Sequence, residues 1–131
     1  MYTEAQVKQY CEVLCFSGSP ELFKELRHND TKLATEITNF NVNLTLLESI
    51  DHLEKQGSSL TYVNVRTHLY YDIFKEQVEM SELEEKLSNL LPKLQENGLI
   101  DKMILTEAGR KIIQIKKSIF YQTSLVAVNL N

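Results

Sequence analysis

Signals that begin and end α-helices recur along most of this chain, and they constrain its fold more than any other feature. Three pairs of residues have the spacing of a capping box, in which two side chains satisfy the free amides at a helix start. These pairs are Thr3 with Gln6, Thr45 with Glu48, and Ser81 with Glu84. Gly57 and Gly98 each follow an apolar segment, where a left-handed residue commonly ends a helix. The signals predict a mainly α-helical protein.

Apolar residues recur every three or four positions after these signals, as on the buried face of a helix. The predicted helices cover residues 3–16, 20–27, 31–40, 45–55, 63–75, 81–97 and 106–121. Short strands are expected at most near 58–62 and 99–105, and "NFNVNL" at 39–44 is either a short strand or a kinked junction. The uncharged tail 123–131 is rich in β-forming residues, so we expect it to need a covering surface.

The size and composition fit one globular domain. The chain has 131 residues, of which 43% are hydrophobic and 24% charged, an ordinary balance for a folded protein. No apolar run approaches the roughly 20 residues that a membrane span needs. The first residues, "MYTEAQVKQY", lack the basic start and apolar core of a secretion signal. The sequence therefore predicts an unprocessed cytoplasmic protein without a membrane partner.

Charge is spread unevenly along the chain. Residues 1–100 hold nine Lys or Arg against sixteen Asp or Glu, whereas residues 101–131 hold five against two. An acidic body with a basic C-terminal helix permits a contact with nucleic acid, although it does not require one.

Few residues point to catalysis or to a metal. Cys11 and Cys15 continue an apolar stripe, which favours core packing over a redox switch. The three histidines lie far from the cysteines and have no metal-ligand spacing. No glycine-rich phosphate loop and no familiar nucleophile motif is present. We therefore expect no enzyme activity, no metal and no cofactor.

Four segments in order carry a resemblance: the helices over 45–55, 63–75 and 81–97, and then "GLIDKMILTEAGRKII". This order resembles winged helix-turn-helix regulators of the MarR and PadR types, over about residues 44–117. The matching residues are Leu91, Leu94, Gly98, Leu99, Ile100, Leu105, Thr106, Gly109 and Arg110. The resemblance implies a mainly α, winged-helix-like single domain. It would have an N-terminal helical extension at 1–43, a helix-turn-helix core at 44–109, and a dimerisation helix and tail at 110–131.

Three features depart from that pattern. Only three or four residues separate "GLI" from "LTEAG", too few in our expectation for two strands and a turn, so the wing should be missing or vestigial. The recognition helix of the resemblance carries Glu82, Glu84 and Glu85, which repel phosphates. Pro92 lies inside the same helix and should kink or split it.

Two functions follow as alternatives. The first is a dimeric regulator that binds double-stranded DNA. Its phosphate contacts would come from Lys86, Lys93, Lys102, Arg110, Lys111, Lys116 and Lys117, and its base contacts from Ser81, Ser88 and Asn89. The second is a protein-interaction module, such as an adaptor, anti-repressor or accessory subunit, whose partner binds the acidic face Glu82, Glu84 and Glu85. An effector pocket lined by Tyr62, Tyr70, Tyr71 and Phe74 is a further option.

Overall fold

A computed structural model of the chain describes residues 2–16 and 20–130, and it is mainly helical. Within these ranges there are six α-helices, one π-helical turn and one two-stranded sheet. The elements are α1 (Glu4–Phe16), α2 (Pro20–Asn29), α3 (Thr31–Lys55), α4 (Tyr62–His68), a π-turn (Leu69–Ile73), α5 (Met80–Glu96), β1 (Ile100–Asp101), β2 (Ile104–Leu105) and α6 (Glu107–Leu130). No helix in the described part of the chain has the length and apolar character to cross a membrane.

The first capping box is confirmed. The amide of Thr3 donates to Gln6 Oε1 at 2.9 Å, and the amide of Gln6 donates to Thr3 Oγ1 at 3.1 Å. Pro20 begins α2 as predicted, but the helix continues two residues beyond its expected end, to Asn29. The predicted N-cap at Ser19 lies outside the described residues.

α3 corrects the prediction for residues 39–45. The carboxylate of Asp30 accepts from the amide of Leu33 at 3.0 Å and caps a helix that runs without a break from Thr31 to Lys55. The strand or junction expected at 39–44, and the helix start expected at Thr45, are both wrong. Phe40 and Leu44 are buried at helical spacing, so continued burial of one helix face overrides the local capping signal.

The two helix-ending glycines behave as predicted. Gly57 and Gly98 have φ of 72° and 74°, in the left-handed region. After α5, the amide of Leu99 donates to the carbonyl of Leu94 at 2.9 Å, and the amide of Gly98 donates to that of Gln95 at 3.0 Å. This pair of bonds is the Schellman motif, and equivalent bonds close α3.

Residues 58–62 do not form a strand, so the strand expected there is wrong. Instead, Thr61 Oγ1 accepts from the amide of Asn64 at 3.2 Å and caps α4. The predicted helix over 63–75 is α-helical only as far as His68. Its second half is the π-turn, in which the amide of Phe74 donates to the carbonyl of Leu69 at 2.8 Å.

α5 begins one residue earlier than predicted and is not split. Its N-cap residue is Glu79, whose side chain makes no capping bond, and Ser81 lies inside the first turn. The capping box expected at Ser81 and Glu84 is therefore wrong. The helix continues through Pro92 to Glu96. Pro92 removes the helical donor to the Ser88 carbonyl, and both residues lie on the exposed side of the helix, where water can reach that carbonyl.

The short strands expected near 99–105 are confirmed, whereas the expectation that the residues between "GLI" and "LTEAG" are too few for two strands and a turn is wrong. β1 and β2 pair antiparallel, with Ile100 opposite Leu105. Lys102 and Met103 have φ of 50° and 68°, the positive values of a two-residue type I′ turn. Six residues therefore suffice for two short strands and a turn.

α6 also corrects a prediction. Thr106 caps it: its Oγ1 accepts from the amide of Gly109 at 3.2 Å and donates to the carbonyl of Gly98 at 2.6 Å. The helix then continues through the β-prone tail to Leu130, nine residues beyond its expected end at Tyr121. No glycine or proline follows Gly109, and β-branched residues alone lower helix propensity only weakly.

The chain divides into two compact units, 43–110 and 1–42 with 111–131, whose boundaries fall inside α3 and α6. The helix-turn-helix core predicted at 44–109 is one residue shorter at each end than the unit 43–110. Among the buried side chains of the first unit are Leu47, Ile50, Val65, Leu69, Leu83, Leu87, Leu94, Leu99 and Leu105. Those of the second include Val7, Tyr10, Cys11, Ile37, Phe40, Ile112 and Ile113. Cys11 is buried and Cys15 half-buried, and neither belongs to a disulfide among the described residues.

Candidate functional site

α5 presents a continuous polar surface. Its apolar residues Leu83, Leu87 and Leu94 are buried in the unit 43–110. The exposed residues on the rest of the helix include Ser81, Glu82, Glu85, Lys86, Ser88, Asn89, Lys93 and Glu96. We call these eight residues the α5 face. It contains three carboxylates and two ammonium groups, so its formal charge is slightly negative.

Several side chains of the α5 face are available to a partner. Lys86, Asn89 and Lys93 make no side-chain hydrogen bond or ion pair within the described part of the chain. Ser88 differs, because its hydroxyl donates to the carbonyl of Glu85 at 2.8 Å. Asn89 lies near the middle of the helix, and an amide there can both donate and accept.

The hairpin after α5 places a lysine at its tip. Lys102 is exposed, and its backbone amide donates to Gln95 Oε1 of α5 at 3.4 Å. Leu91, Pro92 and Met103 line a groove of about 550 Å³ between the end of α5 and the hairpin. The short hairpin is thus fixed against α5, with its cation pointing to solvent.

Arg110 is already engaged inside the unit 43–110. Its Nη1 and Nη2 lie 2.8 Å from Glu54 Oε1 and Oε2, respectively. This bidentate pair raises the pKa of the guanidinium, chiefly through the hydrogen bond to Glu54. A phosphate contact from Arg110 would have to displace a charge-assisted pair.

The remaining predicted cations belong to the other unit. Lys111 lies 3.4 Å from Glu4, which also pairs with Lys8, and these lysines lower the pKa of the Glu4 carboxyl. The ammonium of Lys116 lies over the Phe120 ring, 5.1 Å from its centroid. The predicted site residues therefore fall into two groups. Those from Ser81 to Lys102 lie on α5 and the hairpin, whereas Lys111, Lys116 and Lys117 lie in the unit 1–42 with 111–131.

Sequence reasoning missed a buried polar cluster in the unit 43–110. Ser49 Oγ and His68 Nδ1 are 2.7 Å apart, and the imidazoles of His68 and His52 stack with their centroids 4.6 Å apart. Burial and the nearby His52 lower the pKa of His68, while Asp72 opposes this shift. The sequence carries one signal of this cluster: Ser49 and His68 both lie on the apolar, buried face of their helices.

The cluster is not arranged for nucleophilic catalysis. Ser49 is only 1% exposed, so a substrate carbonyl cannot reach its hydroxyl. No group of three or more potential metal ligands occurs among the described residues. Comparisons with protein-family models, with curated proteins and with solved structures found no match. The function of the chain is therefore inferred from its own geometry and charge.

Proposed function

We propose that this protein is a winged-helix transcription regulator that binds double-stranded DNA through the α5 face and the hairpin, acting as a homodimer in the cytoplasm. The observation that carries the proposal is one arrangement within the unit 43–110. An amphipathic helix buries Leu83, Leu87 and Leu94, turns its polar face outward, and is followed at once by a hairpin with Lys102 at its tip. A helix of this kind fits the major groove, where base edges can be read.

Roles follow from side-chain chemistry. Asn89 can pair in a bidentate manner with adenine, and Ser81 can donate to either kind of base pair. Lys86, Lys93 and Lys102 supply phosphate contacts, which contribute most of the affinity for DNA. Ser88 is a weaker candidate for base reading, because its proton is held by the Glu85 carbonyl.

The charge of the α5 face sets a limit on affinity. Glu82, Glu85 and Glu96 offset Lys86 and Lys93, so one protomer alone neutralises few phosphates. A homodimer doubles the number of lysine contacts, and Lys111, Lys116 and Lys117 are further candidates. Exposed apolar side chains in the unit 1–42 with 111–131 favour self-association: Tyr121 is 66% and Val42 38% exposed.

Dimerisation is tested by light scattering at tens of micromolar. We expect a mass of twice the 15.2 kDa chain. A single-chain mass at that concentration would contradict the dimer.

DNA binding is tested by selecting bound duplexes from a random library and then measuring the affinity for the enriched duplexes by fluorescence anisotropy. Asn89→Ala should weaken binding to the selected site about 10-fold while leaving non-specific binding unchanged, since a bidentate base contact is worth about 1–3 kcal/mol. Replacing Lys86, Lys93 and Lys102 by Gln should weaken binding to every sequence alike.

A matched control removes a charge elsewhere. Lys32→Gln changes an exposed lysine at the start of α3 and should leave affinity nearly unchanged. If the Lys32 variant and the α5-face variants lose equal affinity, the DNA contact does not lie on this face. If no duplex is enriched, the protein does not read DNA sequence.

A protein-interaction module is the second candidate, favoured by the acidic residues Glu82 and Glu85 on the α5 face and by the neighbouring Glu84, 3.8 Å from Arg66. Changing Glu82, Glu84 and Glu85 to Gln distinguishes the two functions. In a DNA-binding protein the change strengthens non-specific DNA binding, because three repulsive charges are removed. In an interaction module it releases a basic protein partner instead, as a pull-down from the host would detect.

A further inference from the structure

A second cleft in the unit 43–110 lies away from the α5 face, beside the π-turn. Its volume is about 590 Å³, and Thr45, Glu48, Ser49, His52, His68 and Asp72 line it together with Ile73. His68 is only 9% exposed. π-helical turns occur frequently at functional sites, because the extra residue re-aims the side chains near it.

The hydrogen bond to Ser49 determines which nitrogen of His68 carries the proton. Ser49 is 1% exposed, and His68 Nδ1 is the only hydrogen-bond partner of its hydroxyl within the described residues. If the imidazole donated this bond, the buried hydroxyl proton would have no acceptor, which is costly. Ser49 therefore donates to Nδ1, and the ring proton lies on Nε2.

The Nε2–H group of His68 is available to a ligand. Its nearest acidic atom is Asp72 Oδ2, at 3.9 Å, which is beyond hydrogen-bond distance. No other partner of Nε2 occurs in the described part of the chain. An imidazole N–H that faces the cleft without a protein acceptor can donate to a molecule that brings one.

Asp72 supplies the charge of the cleft. Its side chain is 69% exposed, and no lysine or arginine lies within 4.0 Å of it in the described residues. Burial keeps the pKa of His68 below its usual value, so the imidazole is neutral near pH 7 and does not repel a cation. Glu48 adds a second carboxylate to the lining, which disfavours an anion.

We propose that this cleft binds a small organic cation that carries a hydrogen-bond acceptor beside its ammonium group, of which an amino alcohol is the simplest example. The ammonium pairs with the Asp72 carboxylate, and the neighbouring oxygen accepts from His68 Nε2–H. The 3.9 Å gap between Nε2 and Oδ2 lets two adjacent groups of one molecule contact both. This site is independent of the DNA-binding proposal, because it can be measured on the free protein.

The test is a titration of the ¹⁵N-labelled protein with 2-aminoethanol hydrochloride at pH 7.5, followed through the imidazole resonances by NMR. The His68 resonances should shift and saturate with a Kd in the low millimolar range, as a ligand with four non-hydrogen atoms permits. Ethylammonium, which lacks the acceptor, should bind more weakly. Ethylene glycol and acetate, which lack the cation, should leave the resonances unchanged.

Two substitutions of equal charge separate this site from general attraction to an acidic protein. Asp72→Asn should weaken binding of 2-aminoethanol at least 10-fold. Asp101→Asn removes an exposed carboxylate from β1 of the same unit and should change it less than 2-fold. Equal losses in both variants, shifts that never saturate, or acetate that shifts the His68 resonances as strongly would each overturn the proposal.

Discussion

Gly109 stands where no other residue fits, and replacing it by alanine should destabilise the protein. A Cβ atom at this position would overlap the backbone carbonyl oxygen of Leu99 and approach Leu105 Cδ2 to 3.4 Å. Because the overlapping atom belongs to the backbone, no side-chain rotation relieves the clash. The start of α6 has to move, and the bonds that join Thr106 to Leu99 and Gly98 are stretched.

The magnitude follows from two opposing effects. Overpacking and weakened hydrogen bonds cost about 3 kcal/mol, while alanine improves helix propensity over glycine by about 1 kcal/mol. Gly109→Ala should therefore lower the free energy of unfolding by about 2 kcal/mol. For a chain of this size that is a fall in Tm of roughly 6–10 °C.

The assay is urea and thermal unfolding followed by circular dichroism at 222 nm. Ala108→Gly is the matched control, since Ala108 is exposed in the same turn and reports propensity alone, at a cost of up to about 1 kcal/mol. A Gly109→Ala variant as stable as the wild type, or more stable, would refute the close approach of α6 to Leu99.

Three further predictions concern stability. The lowered pKa of His68 means that the unfolded chain binds the proton more readily. Stability should therefore fall as the pH drops below about 6.5, the usual pKa of a histidine in an unfolded chain, by at most about 1.4 kcal/mol per pH unit. His68→Gln should flatten that slope in urea titrations, and an unchanged slope would contradict the assignment. Glu76→Gly should raise stability by about 0.5 kcal/mol in thermal unfolding, because Glu76 has φ of 62°, and a loss would show that its side chain matters. Glu54→Gln and Arg110→Met should each lower stability by up to about 1 kcal/mol, and their double variant by less than the sum; additive losses would deny the ion pair.

Helix boundaries could be predicted where the local signal also agrees with packing. Thr3 and Gln6 cap α1, and Gly57 and Gly98 end α3 and α5, as their local sequence predicts. The box at Thr45 has the same spacing, but the buried stripe through Phe40 and Leu44 continues across it. Local capping is worth only about 1 kcal/mol, less than burying two large apolar side chains.

The hairpin and the π-turn show a second limit of sequence reasoning. Lys102 and Met103 adopt positive φ, although neither is the asparagine or glycine that normally signals a two-residue turn. The π-turn is followed by Lys75 and Glu76, which also have positive φ. Such backbone conformations are imposed by the surrounding structure, so the residue types at these positions do not predict them.

The candidate site could be predicted in part. The 3.6-residue period of α5 predicts that Asn89 and Lys93 share an exposed face, and the structure agrees. The sequence does not reveal that the Arg110 guanidinium is paired with Glu54, 56 positions away. Nor does it reveal the Ser49–His68 bond, because 19 positions separate the two residues. Both pairs depend on which helix lies beside α3, namely α6 at Glu54 and α4 at Ser49.

The salt dependence of DNA affinity tests the proposed function most directly. The measurement is anisotropy of the wild-type protein on its selected duplex from about 50 to 200 mM salt. If Lys86, Lys93 and Lys102 of two protomers contact phosphates, a plot of log K against log[salt] should have a slope of about −5, since each contact contributes about 0.9. A slope near zero, or no detectable binding at about 50 mM salt, where charge attraction is strongest, would contradict a DNA-binding role.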